Sequence, residues 1–199
     1  MITRTGPLTK DPTKVALGLA QIRVGVSAAN IEHDTGILTA DQSIGNLAST
    51  AFTGETEFWK LESGFPMLED MSLPIRESAM LECAFREFTI QNLALARGLD
   101  PAALDEYADE IGLGGLQAPA FVRMEAVYTF PDKTSQMVII FPRANVVSSL
   151  NMDLQAEDAA AVPITFQAKR ADSGLTDGDV AWDDKPLGTI VFRSGDVSS

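Results

Sequence analysis

The side chains best suited to chemistry are few and scattered. His33 is the single histidine and Cys83 the single cysteine. One chain therefore cannot supply a two-histidine metal site, and a Cys–His or Ser–His pair would have to run through His33. His33 lies in the polar stretch IEHDTG and reads as a surface loop residue. Cys83 shares strand parity with Leu81 and Phe85, so it reads as a buried, inert thiol. GLGG at 112–115 lacks the GK[ST] ending of a phosphate loop and follows a helical segment rather than a strand, so it reads as a helix stop. The acids Asp172, Asp177, Asp179, Asp183 and Asp184 do not have the DxDxDG spacing of a calcium loop. Pairs such as Glu69-Asp70, or Asp105 with Asp109, are expected by chance in an acidic chain. The residues point to no enzyme, no metal and no cofactor. Trp59 and Trp182 each sit in a polar, loop-like region; each is either an anchor at a protein interface or a lid over the chain's own core.

The elements that must carry these residues are mainly strands. VALGLAQIRVGV (15–26) has β character, with the apolar parity switching midway, as in a bulged strand or one buried on both faces. SAMLECAFREF (78–88) alternates, placing Ala79, Leu81, Cys83 and Phe85 on one face and Glu82 and Arg86 on the other. TIQNLALARG then offers Thr89 as an N-cap and Gly98 as a stop, which predicts a short helix. Asp100-Pro101 starts an acidic helical insertion over 100–118. FVRMEAVYTF (121–130) sets Val122, Met124, Ala126, Tyr128 and Phe130 against Arg123 and Glu125. The turn PDKT leads it into SQMVIIFPRANV as a hairpin. PITFQAKR (163–170) and LGTIVF (187–192) are further strands, joined by an acidic, turn-rich loop.

Two stretches fall outside this pattern. Residues 1–14 carry Gly6, Pro7 and Pro12 without an apolar period, and read as an extended N-terminal arm. Residues 15–199 read as one domain. Within it, 27–66 mix Gly, Ser, Thr, Asn and acids with scattered apolar side chains, too many for a solvated loop and too irregular for a core helix. This segment is expected to be a long hairpin arm that packs on a neighbouring subunit through Ile37, Leu38, Leu47, Phe52, Phe58 and Trp59. Deleting 34–56 should then leave a folded subunit that no longer polymerises.

Composition limits the partners. A chain of 199 residues with 45% hydrophobic and 22% charged residues can bury a sizeable core, which argues against disorder throughout. The N-terminus MITRTGPLTKDPTK lacks the apolar core of a signal peptide, and no run approaches the roughly 18 apolar residues of a membrane helix. The expectation is a soluble protein with no membrane partner, and a lone cysteine suits assembly in a reducing cytoplasm. Lys and Arg number 15 against 28 Asp and Glu, a net charge of −13. Such a surface repels phosphate, so ordinary DNA binding is not expected, although a channel that lets DNA slide could use the repulsion. Acidity that serves only solubility fits the composition equally well.

In their order along the chain, VALGLAQIRVG, the loop ending LESGFPM, AMLECAFREFTIQNLALARGLDP, QMVIIFPRANV, PITFQAKRAD and the closing W-DDKPLG-TIVF resemble phage tail tube proteins, the major tail proteins of long-tailed bacteriophages. The resemblance covers roughly residues 15–192. It implies a mainly β fold, a β-sandwich or barrel-like core with a flanking short helix. It also implies hexameric rings whose sheets join into a continuous barrel, stacked around a tape-measure protein and later conducting DNA into the host. Expected partners are other copies of the chain, the tape-measure protein, and terminator and baseplate proteins, with DNA passing through a net acidic lumen without specific binding. The location implied is the virion tail, assembled in the bacterial cytoplasm. The acidic 100–118 insertion departs from the pattern and reads as an outer decoration. Competing readings are another ring-forming tail part, such as a terminator or distal-tail protein, and a carbohydrate-binding β-sandwich, which the absence of an aromatic cluster disfavours.

Overall fold

A computed structural model of the chain describes residues 16, 18, 20–26, 38–65, 68–100, 110–113, 118–152 and 160–194. The expected N-terminal arm at 1–14, His33, Ile37 and most of the acidic insertion lie outside the described residues. What is described is mainly β with one short helix, as the sequence pattern predicts. The strands are β1 (Gln21–Val26), β2 (Leu47–Ser63), β3 (Leu68–Phe85), β4 (Val122–Thr129), β5 (Ser135–Val146), β6 (Val162–Ala168) and β7 (Thr189–Ser194); the helix α1 is Ile90–Ala96. All pairings are antiparallel, in the order β1-β4-β5-β6-β3-β2, with β7 attached to β5.

Local signals explain most boundaries. In the PDKT turn, the Asp132 carboxylate accepts the Thr134 and Ser135 N–H groups at 3.0 and 2.9 Å, and Lys133 takes the left-handed conformation at φ 57°. Thr89 caps α1 by accepting the Asn92 N–H at 3.2 Å. At the far end Gly98 has φ 78°, with Gly98 N–H on the Leu95 carbonyl and Leu99 N–H on the Ala94 carbonyl, which is a Schellman stop.

β5 is shared between two halves of the sheet. β4 runs along one edge from Gln136 to Ala144. The other edge is divided, with Ser135 to Ile140 pairing β7 and Ala144 to Val146 pairing β6. The two halves face one another across a core containing Ile22, Leu81, Phe85, Met124, Phe141, Ile164 and Phe166, with Leu95 and Ala96 of α1 packed in.

The inward parity of β4 is the one the sequence pattern predicts. The opposite parity, Arg123 and Glu125, was expected to face solvent and is instead buried, as is all of β4 except Thr129. The reason is that the 171–186 loop folds across that face. Trp182 sits at its centre against Val127, Val138, Ile140 and Ala171, fully buried. Arg123 Nε donates to Glu125 Oε1 at 2.8 Å, the other carboxylate oxygen accepts the Leu38 N–H at 2.8 Å, and the Arg123 guanidinium lies 5.9 Å from the Trp182 ring centre. A buried pair of this kind is tolerated because each charge is matched.

The same loop explains its acids. Asp172 accepts the Gly174 N–H, Asp179 the Ala181 N–H and Asp183 the Ser173 N–H, at 2.8–2.9 Å. These carboxylates hold their own backbone in turns. Gly178 is required there, since a Cβ would stand 1.8 Å from the Asp172 carbonyl oxygen.

Two outcomes follow. Trp182→Ala empties the centre of the second core cluster and should cost about 3–5 kcal/mol in denaturant unfolding; a loss below 1 kcal/mol would show that the loop is not a packed cover. Cys83 is buried, and burial pushes its thiol up to about 12. At neutral pH it should react with a thiol reagent only on the time scale of opening, and rapidly once denatured; fast labelling of the native chain would contradict the burial.

Candidate functional site

The largest feature outside the body is a ribbon made by β2 and β3, of 17 and 18 residues, paired along their whole length from Leu47↔Phe85 to Ser63↔Leu68. A hairpin was expected within 27–66; the ribbon runs through 47–63 and returns through 68–85, while 27–37 lie outside the described residues. The strand expected at 78–88 is the root of its return strand. Only Met80 to Phe85 of β3 pairs with β6. Beyond that point, among the described residues, no further strand pairs with either edge of the ribbon.

Cross-strand partners share a face, so the register sorts the side chains. On one face, Phe52 pairs with Leu81 at the root and its ring lies 6.3 Å from that of Phe141; further out stand Phe58 opposite Pro74 and Lys60 opposite Ser72. On the other face, Glu55, Glu57, Arg76 and Glu82 occupy the root. The distal part of that face is apolar, with Trp59 opposite Leu73, Leu61 opposite Met71, and Leu68 at the tip. All five distal side chains are exposed, Trp59 at 46% and Leu68 at 65%. Lys60 Nζ donates to Glu69 at 2.7 Å, and that carboxylate holds the Lys60 ammonium above its ordinary range. Shifts of register at Glu57/Phe58 and Leu61/Glu62 add twist along the ribbon. Gly64, at φ 86°, begins the turn at the tip.

The six side chains expected to make inter-subunit contacts therefore separate. Ile37 lies outside the described residues. Leu38 and Leu47 are buried in the chain's own body at 3% and 6% exposure, and only Phe52, Phe58 and Trp59 stand on the arm. Trp59 and Trp182, indistinguishable by sequence context, take opposite places: one is exposed on the arm, the other is core. Sequence reasoning passed over Leu61, Leu68, Met71 and Leu73. The alternation FWKLES and MSLPIRES was there to be read, but Pro74 and the flanking acids weakened it as a strand signal.

Among the described residues no group of three His, Cys, Asp or Glu side chains is placed to hold a metal ion, and no helix is long and apolar enough to cross a membrane. A polar cavity of about 400 Å³ between β1 and α1 is lined by Asp41, Gln42, Ser43, Glu87, Thr89, Gln91 and Asn92, with their apolar neighbours. The Asn92 amide there is already committed to the carbonyls of Ile44 and Glu87, and Glu87 accepts the Asn46 N–H.

No protein-family model and no curated protein matches the chain. Among solved structures it is similar to one of the PVC sheath–tube complex of an extracellular contractile injection system in the extended state, at 14% identity and a TM-score of 0.45, covering 93% of each chain. It is also similar to the tube-terminating cap of the anti-feeding prophage, at 10% identity and a TM-score of 0.41, covering 94% of this chain and 99% of that one.

Proposed function

We propose that this chain is the repeating subunit of a phage-tail-type tube, building hexameric rings that stack around a lumen. The observation that carries the proposal is the β2–β3 arm. A two-stranded ribbon is marginal in water unless something covers it, yet this one projects with unpaired edges and a run of exposed apolar side chains on its distal face. Long open edges and apolar ribbons are aggregation hazards in a protein that works alone, and become binding surfaces in one that self-assembles. Fixing such an arm costs roughly 1–2 kcal/mol of backbone entropy per residue, so the contact it makes must bury substantial apolar area.

In this reading the subunit's partners are other copies of itself, a tape-measure protein held in the lumen during assembly, and terminator and baseplate proteins at the tube ends. The finished virion tail conducts DNA into the host through a net acidic lumen. The charge of −13 supports passage without retention, because phosphate finds few cations to neutralise it. A single-layer ring component such as a terminator would use the same fold but cap the tube once instead of stacking on itself.

The arm can be removed cleanly. Deleting 34–56 would also take Leu38, Ile44 and Leu47 out of the core, so the cut belongs between the paired residues Gly54 and Ala79. Replacing 55–78 by a two-residue Asn-Gly turn should leave a folded subunit with an unchanged β-type circular dichroism spectrum. By negative-stain microscopy the full chain should form long tubes with a central channel and the excised chain none. Tubes of normal length from the excised chain would remove the arm from assembly. A full chain that stays monomeric at high concentration would sink the tube reading itself.

A further inference from the structure

Two apolar surfaces of this chain lie uncovered by the described residues, and they occupy opposite ends of the arm. One is the distal face formed by Trp59, Leu61, Leu68, Met71 and Leu73. The other is on the body at the root of the arm, where β7 extends the inner face of the sheet. Ile139 pairs with Ile190 and Met137 with Phe192, so these β7 side chains share the core-facing parity, yet Ile190 and Phe192 are 46% and 69% exposed. Beside them Phe52, Phe141, Leu187 and Ile190 wall a cleft of about 160 Å³.

The arm cannot serve its own cleft. From Phe52 to Leu61 the ribbon spans roughly 30 Å at about 3.3 Å per residue, and its strands stay paired throughout, so the tip cannot fold back to the root. The tip can reach an identical cleft only on another molecule displaced along the arm. A contact between two different patches of one chain is heterologous: where it is not closed by a two-fold exchange or a ring rotation, each copy added leaves one free tip and one free cleft, so the contact propagates. Open propagation is the property a stacked tube needs.

We infer that the distal apolar face of one copy's arm docks on the Ile190–Phe192 face at the arm root of a second copy. This rests on the tube reading and specifies its stacking contact: Trp59 and Leu73 are the anchors, and Phe192, Ile190 and the Phe52–Phe141 cleft are the receptor.

The test uses two full-length variants, Trp59→Asp/Leu73→Asp with a blocked arm and Ile190→Asp/Phe192→Asp with a blocked receptor, each checked for a native circular dichroism spectrum. Wild type should form long tubes and each variant alone should not. Mixed in equal amounts, the variants should associate in pairs of layers and stop, because only one productive arm–receptor contact per pair remains. To guard against misfolding, Trp59→Cys and Phe192→Cys chains mixed under oxidising conditions should give a disulfide-linked dimer that neither gives alone. Normal tubes from the receptor variant, or no cross-link in tubes that do form, would overturn the receptor assignment and leave the tube reading standing. A wild-type chain that never self-associates would overturn both.

Discussion

The architecture depends on β5 having one continuous edge and one divided edge. β4 occupies the continuous side, while β7 and β6 share the other in succession. β5 thereby belongs to two sets of strands that diverge along its length. This divergence lets the β1–β4–β7 side and the β6–β3–β2 side face each other across a common core. The close approach at Gly188 is part of the same constraint: at φ 133° its Cα sits so near the Ile140 carbonyl that a Cβ would stand 2.1 Å from the oxygen. Only glycine lets the chain turn into β7 at the place where β5 needs that partner.

With its inner face in the core, the β4–β5–β7 half still had an outer face to satisfy. The 171–186 loop does this with one large side chain, Trp182, over a patch that includes the Arg123–Glu125 pair. The loop holds its shape through its own aspartates, and Arg143 clamps it from outside by reaching Asp177 at 3.1 Å while its guanidinium stacks 3.9 Å over Phe121. The result is that β4 is buried on both of its faces as far as Thr129.

The arm obeys the opposite logic. Its backbone hydrogen bonds are internally satisfied by β2–β3 pairing, so it can project from the sheet without leaving its facing amides unpaired. Its side chains are not satisfied in the same way, since among the described residues no layer lies beneath the distal ribbon.

The sequence by itself determined what depends on near neighbours. The alternation of β4 and β6 marked the inward residues, Asp132 and the following residues marked the hairpin turn, and Thr89 and Gly98 marked the ends of α1, because capping, turns and parity act over a few residues. Cys83 was legible as core for the same reason. Tertiary structure alone decided the rest. Arg123 and Glu125 alternate like solvent-facing residues, and only a loop that closes some fifty residues later made them interior. Trp59 and Trp182 have the same kind of polar surroundings in the chain; whether a layer lies opposite each one is a property of the fold, and it sent one to the core and the other to the arm. The ribbon's return strand was not legible in the sequence, because a ribbon with no layer under it among the described residues carries no buried-face parity over most of its length. Its extent became visible only in the register between Leu47↔Phe85 and Ser63↔Leu68, where long-range backbone pairing replaces the local pattern that identifies other strands.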